Sequence, residues 1–314
     1  MRHIGLSTTS AQSFPVSGIA LSELKEVVFA TSARLDREGA QASIAEKAAL
    51  DILKLAHLLP AAITVPLADG LIAEGLISID AEMLNNYHDR IAASIDIVSR
   101  TRIPLGDCED AEFVLFHGSD GLREQVAVVV GSPSSDNPTF VRVHSACLTG
   151  DLFGSLKCDC GDQLRGSIES LATLGGGVLL YLDQEGRGIG LRNKMRAYNL
   201  QENDHDTIDA DAILGYEPDE RRYGIAARML TLLGFQRIIL LSNNPEKAEA
   251  LSCYGIDVVG SKQLLGKVNK HNLHYLKTKA NRGGHTLGHL VGGGREPQTP
   301  SPASNPCRES VRTD

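Results

Sequence analysis

Long apolar runs are missing from this chain. None approaches the roughly 20 residues that cross a bilayer as a helix, which argues against a membrane protein. A leader is missing as well: Met1 to Ser10 hold no apolar stretch of signal-peptide length, so the expectation is a cytoplasmic chain. Positive charge is short. There are 31 Lys and Arg against 39 Asp and Glu, a formal net charge of −8, which argues against general affinity for nucleic acid. Small anions remain open, because a few arginines and backbone amides can hold phosphate inside an acidic protein. A disulfide framework is missing too. Of six cysteines, Cys108, Cys253 and Cys307 are scattered without partner spacing, and in a reducing cytosol the other three point to metal or catalysis. The glycine-rich stretch Asp183–Tyr198 is neither a Walker loop nor a Rossmann fingerprint.

Apolar material is ample: 42% of the 314 residues are hydrophobic, enough for two domains, or for one with an appendage. Residues 1–110 are alanine-rich and read as mostly helical. Their best segment starts at Ser43, with Glu46 at capping-box spacing and a face of Ala45, Ala48, Ala49, Ile52, Leu53 and Ala56. Residues 111–294 change character. Glu112–His117, Gln125–Gly131 and Thr139–His144 read as successive strands. A helix from about Asp162 to Leu174, a buried strand Val178–Leu182, a helix face from Ile225 to Leu233 and strands Arg237–Leu241 and Ile256–Val259 follow. Pro245 suits the first turn of a helix. The fold class expected is mixed α/β: a β-rich front and a parallel α/β layer, preceded by a mostly helical N-terminal segment. Residues 295–314 are Pro/Ser-rich, and disorder is expected there.

Four stretches carry chemistry. Cys147, Cys158 and Cys160 fall within fourteen residues of one another. Three thiolates suit zinc and leave one tetrahedral position open. His144, Asp151 or Asp159 could fill it and make the site a staple; water there would make it a catalyst. The bland alternative is three packed core thiols. The second stretch, Asp183–Tyr198, follows a buried strand. Its Gly186, Gly188 and Gly190 allow close backbone approach, and Arg187, Arg192, Lys194 and Arg196 add positive charge. It reads as a phosphate cradle, or as a tight turn before a basic helix face. The third, Pro218–Tyr223, sets Asp219 and Glu220 beside Arg221 and Arg222; such charges before a helix are commonly capping. The fourth, Leu241–Lys247, ends a buried strand, where ligands sit in α/β sheets, and it also suits an ordinary turn.

In this order the four stretches resemble GTP cyclohydrolase II of riboflavin biosynthesis, over roughly Phe113 to Leu290. The motifs are Arg142–Asp151, Ser155–Gly161, Gln184–Leu191, Asn193–Tyr198, Asn243–Pro245 and Tyr275–Lys279. The resemblance implies zinc on Cys147, Cys158 and Cys160, with water attacking C8 of guanine, ring opening, and release of formate and pyrophosphate. It implies Asp219 as proton acceptor, Arg221 as nucleophile on the α-phosphorus or as charge stabiliser, and Tyr198 near the reacting base. It implies GTP contacts at Arg142, Val143, His144, Ser145, Ala146, Gln163, Glu185, Gly186, Arg187, Thr207, Ser242 and Lys247, with Mg2+ accompanying the triphosphate. A homodimer that binds neither nucleic acid nor membrane is expected.

Three positions depart from the family pattern. Ala146 stands where Glu is common, Arg222 where Asp is usual before an aromatic, and Ser242 where Thr is common. The first two bear on rate and product. They keep open a non-catalytic nucleotide-binding zinc protein, or a cyclohydrolase-like protein of another nucleotide or pyrimidine-catabolic pathway. Residues 1–110 occupy the place of dihydroxybutanone-phosphate synthase in fused enzymes. The acidic signature of that domain is reduced to Asp36–Gly39, so a scaffold or degenerate relic without synthase activity is expected.

Overall fold

The computed structural model describes residues 11–29, 38–67, 75–134, 136–202, 207–264, 269, 272 and 273. The expected tail at 295–314 and the motif Tyr275–Lys279 lie outside the described residues. Two compact units divide the chain: Met1–Tyr87 with Gly186–Glu220, and His88–Glu185 with Arg221–Asp314.

In chain order the elements begin with β1 (Gln12–Ser13), α1 (Leu21–Phe29), β2 (Ala40–Gln41), α2 (Ile44–Leu55), α3 (Glu82–Asn85) and α4 (Tyr87–Ser94). Then come β3 (Asp96–Arg102), β4 (Ala111–His117), β5 (Glu124–Val130), β6 (Thr139–Ser145), α5 (Leu148–Asp151), α6 (Cys160–Thr173) and β7 (Gly177–Leu182). The last are α7 (Gly190–Gln201), α8 (Thr207–Ile213), α9 (Gly224–Leu233), β8 (Arg237–Leu241), α10 (Glu246–Cys253) and β9 (Asp257–Lys262).

In the first unit, α2 starts where the capping box predicts. The Ser43 hydroxyl accepts from the Glu46 N–H at 3.3 Å, and the Glu46 carboxylate accepts from the Ser43 N–H at 2.8 Å. That satisfies two of the donors that a helix start leaves without partners. The same carboxylate takes the Ser13 hydroxyl at 2.6 Å, which ties β1 to α2.

In the second unit, seven strands form one sheet in the order β3-β4-β5-β7-β6-β8-β9. β3, β4, β5 and β7 are mutually antiparallel neighbours, while β7-β6, β6-β8 and β8-β9 are parallel. The expected β-rich front and parallel α/β layer are thus halves of a single sheet, joined where β5 meets β7. Both faces are covered. On one, Val114, Phe116, Val141, Val143 and Leu180 pack with Met229 and Leu230 of α9 and Leu251 of α10. On the other, Val128, Val130 and Leu179 pack with Leu171 of α6. Covering on two faces explains why β7 reads as a continuous apolar run. β3 is a strand within the stretch read as mostly helical.

Parallel pairing of β6 with β7 and β8 brings their C-terminal ends to one edge of the sheet. The residues that follow those ends, 146–151, 183–185 and 242–247, carry most of the predicted chemistry of this unit. That is the general location of ligands in α/β sheets.

Candidate active site

The cysteines converge. Among the described residues, the Sγ atoms of Cys147, Cys158 and Cys160 lie within 4.8 Å of one another, and those of Cys147 and Cys158 are 3.8 Å apart. Cys147 follows β6, Cys158 ends the loop after α5, and Cys160 opens α6. Cys147 and Cys158 are buried. Gly150 lies directly against them: a Cβ there would stand 2.7 Å from the Cys158 Sγ and 3.1 Å from the Cys147 Sγ. The Cys158 thiol is pushed up, first by the hydrogen bond shared with Cys147, although the bond with Cys160 opposes this. A divalent cation among the thiols reverses that direction, since coordinating thiols lose their protons. Three sulfur donors, one after β6 and two from the Cys158–Cys160 stretch, suit zinc better than a hard cation.

His144, Asp151 and Asp159 do not join the group of metal donors. Each is engaged elsewhere. The Asp151 carboxylate accepts from the Cys147 N–H at 2.9 Å and the Tyr181 hydroxyl at 3.0 Å, and it meets His144 Nε2 at 3.1 Å. His144 stacks on Tyr181, with centroids 5.6 Å apart, and burial first pushes its pKa down. Asp159 accepts from Gln163 Nε2 at 2.5 Å. Among the described residues the group that could hold a metal ion is therefore the three thiols alone, and three protein donors with an open fourth position is the pattern of catalytic rather than structural zinc sites.

Around the thiols, polar groups are buried in an order that the sheet imposes. Arg142 donates to the Leu241 carbonyl at 2.9 Å and to Gln163 Oε1 at 2.5 Å. Burial first lowers its pKa to about 10, with the Asp159 charge opposing. The Arg142 Nε, His144 Nδ1, Ser145 Oγ and Gln184 Oε1 are buried without hydrogen-bond partners. Unsatisfied groups of this kind are rare in folded proteins and cost about 1–3 kcal/mol each, so each has hydrogen-bonding capacity that a polar ligand or water could use. Lys247 is buried and donates to the Val143 carbonyl at 3.0 Å. The Ser242 hydroxyl accepts from the Asn244 N–H at 3.0 Å. The Glu185 carboxylate accepts from the Leu148 N–H at 2.6 Å, at the start of α5. Arg221 lies 5.8 Å over the Tyr223 ring, and its charge is felt at Arg142. Ala146 is half-buried, with its N–H on the Leu182 carbonyl at 2.8 Å.

The other predicted residues belong to the first unit. Gly186, Arg187 and Gly188 all take left-handed conformations, with φ of 63°, 61° and 93°. For arginine that region is costly, so the surroundings must hold it. Arg187 donates to the Pro218 carbonyl at 3.1 Å and pairs with Asp211 at 3.4 Å. Its own carbonyl accepts from the Glu220 N–H at 3.1 Å. A Cβ at Gly188 would meet the Glu220 backbone at 2.9 Å. Asp219 is exposed in the same loop, and Tyr198 is half-buried on α7, with Lys194 Nζ 5.8 Å over its ring. Thr207 opens α8.

Asp151, Tyr181 and Gln184 are the residues whose part the sequence does not disclose. Gln184 donates to the Arg222 carbonyl at 2.6 Å. Tyr181 sits in an apolar strand, and nothing in its spacing marks it. Asp151 stands out in sequence only as a candidate ligand, whereas in the structure it anchors the backbone of Cys147.

Comparison with known proteins places the chain in a family. A family model described as GTP cyclohydrolase II matches residues 96–263. GTP cyclohydrolase-2 of Xylella fastidiosa (strain Temecula1 / ATCC 700964) is 45% identical over 306 residues, 95% of this chain and 76% of that protein. The Azospirillum brasilense protein of the same name is 47% identical over 247 residues, 76% of this chain and 64% of its own length. Riboflavin biosynthesis protein RibBA of Bacillus subtilis (strain 168) is 51% identical over 166 residues, 52% of this chain and 42% of that one. The three thiols, the Glu185–Gly188 turn and the Ser242–Lys247 strand end all fall inside the matched region, and the chain belongs to the GTP cyclohydrolase II family.

Proposed function

We propose that this chain hydrolyses GTP at C8 in a zinc-dependent reaction, the first step of riboflavin biosynthesis. The products are formate, pyrophosphate and 2,5-diamino-6-(5-phosphoribosylamino)pyrimidin-4-one. The convergence of three thiols, beside a cluster of buried polar groups at the C-terminal edge of the parallel strands, is the observation that carries the reading. Zinc held by Cys147, Cys158 and Cys160 would supply an activated water and electrostatic stabilisation of oxygen charge at C8.

The remaining roles belong to side chains. Glu185, oriented by the Leu148 N–H, would accept from guanine N–H groups. Tyr198 would sit near the reacting base. Arg142, Val143, His144, Ser145, Ala146, Gln163 and Ser242 would contact the nucleotide, His144 offering its unpartnered Nδ1. Arg187, Thr207 and Lys247 suit the phosphates, with Mg2+ on the triphosphate. Asp219 would accept a proton. Arg221 would act at the α-phosphorus; because guanidinium stays protonated, stabilising the leaving phosphates is its plainer chemistry. We assign the activity to residues 111–294 of a cytoplasmic homodimer, and no synthase activity to residues 1–110.

Incubating zinc-loaded protein with GTP and Mg2+, and quantifying formate and pyrophosphate, tests the reading. Both products are expected. If neither forms while GTP still binds, the protein is a nucleotide-binding zinc protein instead. Cys158→Ser is expected to abolish formate and keep the fold; unfolding of that variant would make the metal structural.

A further inference from the structure

None of the described residues of the N-terminal segment was named in the site above, yet the segment clusters with residues 186–220. The grip is local to the end of α2. The Lys54 Nζ pairs with Glu220 at 2.7 Å and lies 5.5 Å over the Tyr216 ring. The Glu220 carboxylate also accepts from the Glu217 N–H at 2.9 Å, so a single side chain fixes its own loop and is itself fixed by Lys54. The Leu58 carbonyl accepts from the Tyr216 hydroxyl at 2.5 Å, and the His57 carbonyl from Asn193 Nδ2 at 3.0 Å. Tyr216 and Asn193 are buried. Pro60 fills the space at Gly215, where a Cβ would stand 2.8 Å from its Cγ.

His57 itself is strained. It follows the C-cap of α2 with φ 54°, in a place where helices commonly put glycine. A non-glycine residue stays there only when its surroundings over-determine it. Here they do: its carbonyl holds Asn193, and its ring lies against Gly190, where a Cβ would come within 2.6 Å. The segment thus grasps both sides of the Arg187 turn, namely the start of α7 and the loop 215–220, whose Glu220 N–H binds the Arg187 carbonyl.

We propose that residues 54–60 are a built-in brace for this loop, and that Lys54 is a positioning residue for the hydrolysis of GTP. By holding Glu220 it fixes Asp219 on one side in sequence and the Arg187 turn by hydrogen bond. It also neutralises a carboxylate that would oppose an anionic triphosphate. The inference rests on the function proposed above, in which Asp219 and Arg187 serve the substrate. The ion pair is partly exposed, with side chains 26% and 15% accessible. Removing one partner leaves the other largely out of solvent and uncompensated, so some loss of stability accompanies the effect on position, and local exchange with kcat separates the two.

The test uses full-length zinc-loaded Lys54→Met, Lys54→Arg and Glu220→Gln. Glu220→Gln keeps an acceptor for the Glu217 N–H and removes only the charge. In Lys54→Met, kcat for GTP is expected to fall about tenfold, a size set by misplacement of reacting groups. KM should stay within about threefold, zinc content should not move, and Tm should fall only modestly. Lys54→Arg is expected to stay within about twofold of the parent. Amide exchange across 214–220 is expected to quicken in Lys54→Met and Glu220→Gln. Unchanged kcat and exchange in Lys54→Met would overturn the brace, as would a loss that Lys54→Arg fails to rescue. If Lys54→Met does not fold, Glu220→Gln decides by the same two readouts. Exchange needs no turnover, so parent protein that leaves GTP intact overturns the functional reading while exchange still judges the brace.

Discussion

Gly150 shows how little room the thiols leave. Its missing side chain is the space in which the sulfurs meet, with the Cys158 Sγ 2.7 Å and the Cys160 Cβ 3.0 Å from the position that a Cβ would take. Gly150→Ala must therefore push a ligand aside. Zinc affinity is expected to fall by about tenfold or more, on the scale seen when groups supporting a metal ligand are disturbed, and competition with a chromophoric chelator measures it. Asp151 acts on the same ligand from behind. Its oxygens gather the Cys147 N–H, the Tyr181 hydroxyl and His144 Nε2, fixing the backbone from which Cys147 projects. The three thiols could be read as a candidate metal group from type and spacing alone. The part of Asp151 could not, because its three partners come from β6, the turn after it, and β7, and only the sheet register makes them neighbours.

At the scale of elements, the start of α2 gives a pH-dependent prediction. Glu46 is held at about 2, first by the Ser13 hydroxyl and then by the Ser43 backbone and hydroxyl. A depressed carboxylate adds stability above its unfolded value of about 4.3, and that contribution disappears as pH falls toward 2. Amide exchange at residues 43–47 is expected to rise over that window, and Ser13→Ala should move its onset to higher pH. This helix was legible in sequence because its signals are local: a cap, a glutamate three residues on, and a helical apolar face. β8 was legible for a similar reason, and its bounds Arg237–Leu241 agree with the apolar run. β3 was not. It is an edge strand paired only with β4, and six of its seven residues are exposed. An exposed strand has no buried face to impose alternation, so its sequence carries no period of two.

For the whole molecule, the buried His144 couples stability to pH. Burial lowers its pKa from 6.5, with Arg142 and Lys247 acting the same way and Asp151 opposing. Below about 6.5 the unfolded chain binds a proton that the folded chain resists. This contribution is therefore full above that pH and is lost as pH falls toward the folded value. Denaturant unfolding of zinc-loaded protein is expected to show stability declining below about 6.5, and His144→Asn should flatten the slope. A parent protein whose stability is flat between pH 7 and 5 would contradict it. One sheet joins the antiparallel strands to the parallel ones, so protonation at the end of β6 is felt throughout its unit.

The sequence by itself determined the grouping of three thiols and the alternation of strands and helices from β4 onward. Both are written in residue type and short spacing, which covalent geometry converts directly into local structure. Only the tertiary structure decided that His144, Asp151 and Asp159 stand outside the thiol group, and that the end of α2 grips the loop of Asp219. Lys54 and Glu220 are 166 positions apart. A contact across that distance leaves no period or motif in the chain, and it exists only because packing brings the two side chains together.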